Sequence, residues 1–301
     1  MKLKKLELEN YAGYRNATFD FTNESGEVKP IDIFFGPNGC GKSSALQAVR
    51  LLGNLGNIKH RQSDLFFRKM IFHPDYDPSL PHFAKYKNVM SMKAIFTDGE
   101  KDYKVEVSSN QKPDGIVQCE ISNRNVCVFI DADHAINRQK FQLAEDGSEL
   151  FLDMARLVFG YEVYLGRSVT THESEAADGS GVGMEIDFYQ DVIIDKGDVK
   201  VHFKSMSDGE RKIVTLLRQL CDPTIVRKAD VILIDNIDLH IYFERHAKMI
   251  DKLISSFPDK QFLVTAHSGV MINHVREKYG SECLFDVDNI KRKHAAALTN
   301  G

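Results

Sequence analysis

The stretch Phe34-Phe35-Gly36-Pro37-Asn38-Gly39-Cys40-Gly41-Lys42-Ser43-Ser44 constrains this chain more than any other. Residues 36–43 fit G-x-x-x-x-G-K-[ST] in full, a pattern whose chemistry requires a strand before it and a helix after it. Both flanks comply. Ile31 to Phe35 (IDIFF) is a short, mostly apolar run closed by glycine, as in a buried parallel strand. Ser43 to Leu55 has helical spacing, with Ala45, Leu46, Val49 and Leu52 on one face. Glycines let the backbone curl around a phosphate and turn successive N–H groups inward. The fresh helix adds the positive end of its dipole. On this reading Gly36, Pro37, Asn38, Gly39, Cys40, Gly41, Lys42, Ser43 and Ser44 form a cradle for the phosphates of a nucleotide, which alone does not choose among kinases, GTPases and ATPases. Lys42 reaches the β- and γ-phosphates and the Ser43 hydroxyl ligates Mg²⁺. Cys40 is needed there only for its backbone.

Composition narrows the class of protein. The chain has 301 residues, 43% hydrophobic and 27% charged, as in an ordinary globular protein with room for a full core. A net charge of −4 excludes a uniformly basic nucleic-acid coat. A local strip is compatible with it, and Lys59 to Lys69 (KHRQSDLFFRK) interleaves cations with Phe66 and Phe67. That strip keeps nucleic acid open as a partner; a solvated face with buried aromatics is the plainer alternative. Cys40, Cys119, Cys127, Cys221 and Cys283 show no paired spacing, which argues for a reducing cytoplasm rather than a disulfide or zinc framework. The N-terminus has no apolar signal region and no run reaches membrane-span length. No membrane partner is expected.

Along the chain, residues 2–9 and 17–21 alternate and read as two antiparallel strands. Residues 57–87 are polar and proline-dotted, an irregular insertion. Residues 88–109 read as a hairpin turning at Thr97 to Glu100, and 117–122 and 126–131 continue the β pattern. Helical spacing returns over 137–161. The small polar stretch 171–183 reads as a loop, and 184–203 as another hairpin. A helix from Asp208, a strand at 231–235, a helix over 241–256, a strand at 261–267 and a last helix and strand complete the chain. No repeat or heptad run is present. The whole, 1–301, is expected to be one head. Within it, 1–56 hold the first strands and the cradle, 57–205 an insertion with a β and helical lobe, and 206–301 the remaining motifs.

Three of those motifs follow the cradle in order. Ser207-Asp208-Gly209-Glu210 opens a helix, where a serine and fresh N–H groups can hold an anion or simply cap the helix. Val231-Ile232-Leu233-Ile234-Asp235 is an apolar strand delivering a carboxylate, expected at Mg²⁺ beside Ser43 either as a direct ligand or through a bound water. His267 follows another apolar strand (QFLVTAH). Together with Asn10, Tyr11 and Arg15 near the start, this order resembles the ABC-type ATPase heads of the SMC, RecF and OLD-like group.

The resemblance implies an α/β fold: a P-loop NTPase head with a mixed central sheet, an antiparallel β subdomain and a helical lobe carrying the signature. It implies ATP and Mg²⁺ as cofactors, and a homodimer in which Ser207, Asp208, Gly209 and Glu210 act in trans on ATP held by the partner. His267 is then a γ-phosphate contact. Ala12 stands where many relatives place a basic residue, so Arg15 or Tyr14 is the substitute candidate for the nucleotide. Asp131, Asp133, Gln139 and Gln62 compete for the family's glutamine that links Mg²⁺ to the mobile lobe.

The strand-end Asp235-Asn236-Ile237-Asp238-Leu239-His240 departs from the family's Asp-Glu-x-Glu-x-His at its second position. An amide cannot take a proton from water as a carboxylate does. Asn236 therefore marks a slow ATPase, or one in which Asp238 or a partner residue orients water, or a substitution introduced to trap ATP. Too few residues follow His267 for the TOPRIM nuclease of OLD proteins, and the scattered His60, His73, His82, His134 and His172 read as packing or surface groups. An effector such as a nuclease or toxin is thus expected on a separate chain, in antiviral defence or DNA maintenance. A RecF-like repair or recombination ATPase stimulated by DNA is the alternative.

Overall fold

Alternation of apolar and polar residues near the N-terminus is realised as a hairpin. β1 (Lys2–Tyr11) pairs antiparallel with β2 (Tyr14–Asp20) across the two-residue turn Ala12-Gly13. Both turn residues have positive φ, 45° and 84°, the geometry that matches the twist of the flanking strands. A register shift between Leu3 and Lys5 interrupts the alternation, so that Leu3, Leu6 and Leu8 are all buried.

The computed structural model describes residues 1–57, 90–109, 116–121, 125–130, 143, 145–175 and 182–297. The 59–69 strip, Gln62, Asp131, Asp133 and Gln139 lie outside them. The described chain divides into two units. The first holds Met1–Phe129, Arg227–Leu239 and Leu253–Gly301; the second holds Ile130–Val226 and His240–Lys252.

In the first unit, β3 (Ile31–Phe35) leads into helix α1 (Lys42–Asn54). β4 (Met90–Thr97), β5 (Asp102–Ser109) and β6 (Ile116–Cys119) extend the hairpin into a sheet of order β2-β1-β4-β5-β6, antiparallel throughout. β7 (Cys127–Ile130), β11 (Val231–Ile234), β12 (Gln261–Thr265) and β13 (Leu284–Asp286) join β3 in a second sheet, order β13-β3-β12-β11-β7. There the pairs β13–β3, β3–β12 and β12–β11 are parallel. α1 buries more than the one face its spacing shows: Ala48, Leu51 and Gly53 are covered as well as Ala45, Leu46, Val49 and Leu52. The reason is that it touches strands of both sheets. Phe19, Phe34 and Phe285 close this core, with Phe34 5.3 Å from each of the other two ring centres. Burying one such ring contributes roughly 2 kcal/mol. One polar residue interrupts β3: Asp32 is fully buried, with the Lys29 ammonium 2.8 Å from its carboxylate. Burial pushes the Asp32 carboxyl well above the usual range while Lys29 pulls it down.

The second unit holds α2 (Glu145–Phe159), the long hairpin β8 (Glu162–Glu175) and β9 (Val182–Asp195), β10 (Lys200–His202), α3 (Asp208–Cys221) and the short α4 (Pro223–Val226). α2 packs on α3 at close range; Gly147 is required there, because a Cβ would strike the Cys221 carbonyl. Of the stretch 171–183, expected as a loop, residues 171–175 and 182–183 are instead strand, paired through Glu175 and Val182, and 176–181 lie outside the described residues. Its small polar side chains hide an extended backbone that period-2 apolarity would not show. α5 (His246–Ser256) begins later than 241, after a 3₁₀ turn at Phe243–Arg245. α6 (Gly269–Tyr279) belongs to the first unit, as does α7 (Val287–Ala297), a closing helix that the charge run at 291–294 did not suggest. α7 lies against β2.

Candidate functional site

β3 ends at Phe35 and α1 starts at Lys42, so residues 36–41 form the intervening loop. Gly36, Gly39 and Gly41 take φ of 138°, 76° and 110°, a region closed to most side chains. Gly41 caps α1 in the left-handed region with no side-chain cap of its own, leaving the first N–H groups of the helix to an anion. Lys42 is 6% exposed. Its ammonium donates to the carbonyls of Gly36 and Pro37 at 2.9 and 3.0 Å, which folds the side chain over the loop. Cys40 is buried beneath it, and Ser44 follows in the first turn of α1.

The ends of β11 and β12 come together beside Ser43. The Ser43 hydroxyl donates to Asp235 Oδ1 at 3.0 Å. Thr265, the last residue of β12, donates its hydroxyl to the same carboxylate oxygen and accepts the Asn236 N–H at 2.7 Å. Thr265 was not singled out in the sequence, where it reads as one more strand residue. Asn236 sits at φ 52° and His240 at φ 68°. Asp238 Oδ2 accepts the N–H groups of both His267 and Ser268. It therefore holds the start of α6, whose N-cap is Ser268. His267 itself is exposed.

Mg²⁺ takes oxygen ligands and usually combines one or two protein groups with water and phosphate oxygens. The Ser43 hydroxyl and Asp235 carboxylate, already adjacent, fit that role. Among the described residues no group of three or more His, Cys, Asp or Glu could hold a metal alone.

At the N-terminus of β2 the structure brings Tyr14, not Arg15, to the loop. The Tyr14 hydroxyl donates to the Gly41 carbonyl at 2.8 Å, and burial pushes its phenol pKa upward, so it stays a donor. Arg15, next along the strand, is exposed, as expected for the opposite face. Ala12 holds a turn conformation.

The signature lies in the second unit. Ser207 is the N-cap of α3, accepting the Glu210 N–H at 3.3 Å while Glu210 accepts the Ser207 N–H at 2.8 Å. Glu210 is also bonded to Lys196 at 2.8 Å. Ser207 and Asp208 remain exposed. A Cβ on Gly209 would stand 3.2 Å from His240 Nδ1, so the histidine closing the strand-end motif packs against the signature turn.

Residues 2–286 match the RecF/RecN/SMC N terminal domain. Septu protein PtuA of Bacillus mycoides (strain KBAB4) is 26% identical over 301 residues, 88% of this chain and 38% of PtuA. Retron Ec83 probable ATPase of Escherichia coli is 34% identical over 87 residues, 26% of this chain and 16% of that protein. The chain thus spans well under half the length of either relative. Among solved structures, the SMC head domain from Thermotoga maritima superposes with a TM-score of 0.54 at 14% identity, covering 91% of this chain and 92% of that one. An SMC head bound to the C-winged helix domain of ScpA gives 0.55 at 16%, with 91% and 92% covered. At these identities the likeness speaks for the fold, and the fold is the P-loop head deduced from residues 36–43. The chain belongs to the RecF/RecN/SMC N-terminal domain family of ABC-type P-loop ATPase heads.

Proposed function

We propose that this chain binds Mg-ATP, hydrolyses it slowly, and uses the bound triphosphate to join two copies into a clamp that controls a separate effector protein. The carrying observation is the contact of Ser43 and Asp235 at the foot of a glycine-shaped loop whose lysine lies over it. In this reading the loop N–H groups and Lys42 bind the phosphates, while Ser43 and Asp235 hold Mg²⁺. Magnesium would neutralise phosphate charge and help align the terminal phosphoryl group. Thr265 fixes the Asp235 carboxylate. Asp238 is a positioning residue that sets His267 at the terminal phosphate through the backbone of 267 and 268.

Hydrolysis is the weak step. Asn236 can orient water but cannot take its proton, and lacking a general base costs about 10²- to 10⁴-fold in rate. Ser207, exposed at a helix start, and the half-buried Gly209 two residues on supply the partner's half of each site. A long-lived closed state suits a switch acting on a nuclease or toxin in phage defence or DNA maintenance. The matched relatives, a Septu protein and a retron protein named a probable ATPase, support that setting.

Light scattering with and without Mg-ATP tests the clamp. The mass is expected to double for the wild-type chain and to stay single for Lys42→Ala. Nucleotide binding without any change of mass would remove the clamp, and absence of nucleotide binding would remove the ATPase reading itself. DNA-stimulated turnover in the same preparation would favour a repair or recombination role over effector control.

A further inference from the structure

A cation from the C-terminal helix reaches the phosphate loop in the first unit. Lys291 lies on α7, one turn after buried Val287 and next to Ile290, which packs on the core. Residues four apart share a helix face, so Lys291 faces inward toward β2, whereas Arg292 beside it is exposed. Its ammonium stands 4.2 Å from the centre of the Tyr14 ring. A Cβ placed on Gly41 would be 2.6 Å from it, and one on Gly13 3.3 Å. The ammonium therefore rests where the β1–β2 turn, Tyr14 and the last glycine of the phosphate loop meet.

Among the described residues no hydrogen bond or ion pair engages Lys291; Asp288, the nearby carboxylate on its helix, is bonded instead to Arg292 at 2.8 Å. Burial holds its pKa below the ordinary lysine value, against the pull of Cys40 and Asp288. A half-covered ammonium on an aromatic face, with no acceptor among the described residues, is poised to pair with an anion brought to the loop.

We infer that Lys291 is a nucleotide-binding residue: its ammonium, steered by the Tyr14 ring, supplies from the C-terminal helix a cation to the phosphates held by the loop at Gly41. The inference rests on the ATP-binding reading above and adds to it a residue outside the loop motif. Tyr14 joins the two parts, since its hydroxyl holds the Gly41 carbonyl while its ring seats the lysine.

The test measures ADP and ATP affinity by titration calorimetry on the full chain. Lys291→Ala and Lys291→Gln are each expected to weaken both nucleotides about tenfold, the size of one charge-assisted hydrogen bond. Lys291→Arg is expected to stay near wild type, and the salt dependence of binding to fall in the neutral variants. Thermal melting of each variant separates lost contact from lost fold. Wild-type affinity in folded Lys291→Ala and Lys291→Gln would overturn the inference while leaving the loop's role standing. Failure of the wild-type chain to bind either nucleotide would instead sink the ATP reading.

Discussion

Asn236 is the position at which conformation and chemistry meet. At φ 52° it occupies the left-handed region, which asparagine tolerates better than glutamate because its short side chain can bond locally. Its N–H is fixed by Thr265, and Thr265 in turn fixes Asp235, so the backbone here cannot relax without disturbing a proposed Mg²⁺ ligand. Asn236→Glu is accordingly expected to have two opposed effects. Turnover should rise at least about tenfold, because a proton acceptor is restored. Stability should fall by about 1 kcal/mol, because glutamate is forced into left-handed backbone. Single-turnover hydrolysis and thermal melting read the two separately. An unchanged rate in a folded variant would assign water positioning to another group and end the argument that Asn236 makes the enzyme slow.

The start of α3 shows how a motif can serve stability and function together. Ser207 and Glu210 satisfy each other's backbone donors, and Glu210 also bonds Lys196. Burial would raise the Glu210 pKa, but the bonds from Lys196 and Ser207 outweigh it and hold it below the ordinary value. A carboxyl lowered on folding stabilises fully above its unfolded pKa, about 4.3, and that contribution disappears as pH falls through the folded value. Glu210→Gln is therefore expected to lower the melting temperature near neutrality and to flatten its decline in acid. Ser207→Ala should cost about 1 kcal/mol. Equal acid sensitivity of wild type and Glu210→Gln would show that this box contributes nothing to the pH dependence. The box was legible because its partners are three residues apart. So were the phosphate loop, the β1–β2 strands and the 231–234 strand, each written in local spacing. Thr265 on Asp235, Tyr14 on Gly41 and Lys291 over Tyr14 were not legible, because the sheet order and the seating of α7 on β2 bring distant residues together. The pairing of 162–175 with 182–195 escaped for another reason: toward Glu175 and Val182 the polar sequence lacks apolar alternation even though the backbone pairs there.

What the fold cannot do alone sets the last expectation. Leu239, Tyr242 and Phe243, just after the strand that carries Asp235, are 49%, 57% and 51% exposed. Large apolar side chains grouped in one short exposed segment mark a surface suited to a partner. If that partner is a second copy, each ATP lies between Lys42 of one chain and Ser207 of the other, and lesions in the two half-sites should complement. Neither Lys42→Ala nor Ser207→Arg can close on its own copies, since both sites of such a pair are broken. A mixed dimer concentrates both lesions in one site and leaves the other intact. An equimolar mixture is therefore expected to recover turnover that neither variant shows alone, up to about half of wild type, because each mixed pair keeps one of the two sites of a two-fold symmetric dimer. Differently tagged chains verify that mixed dimers form. Should they form and hydrolyse no faster than either variant alone, Ser207 does not act in trans, and the capping of α3 is its whole role.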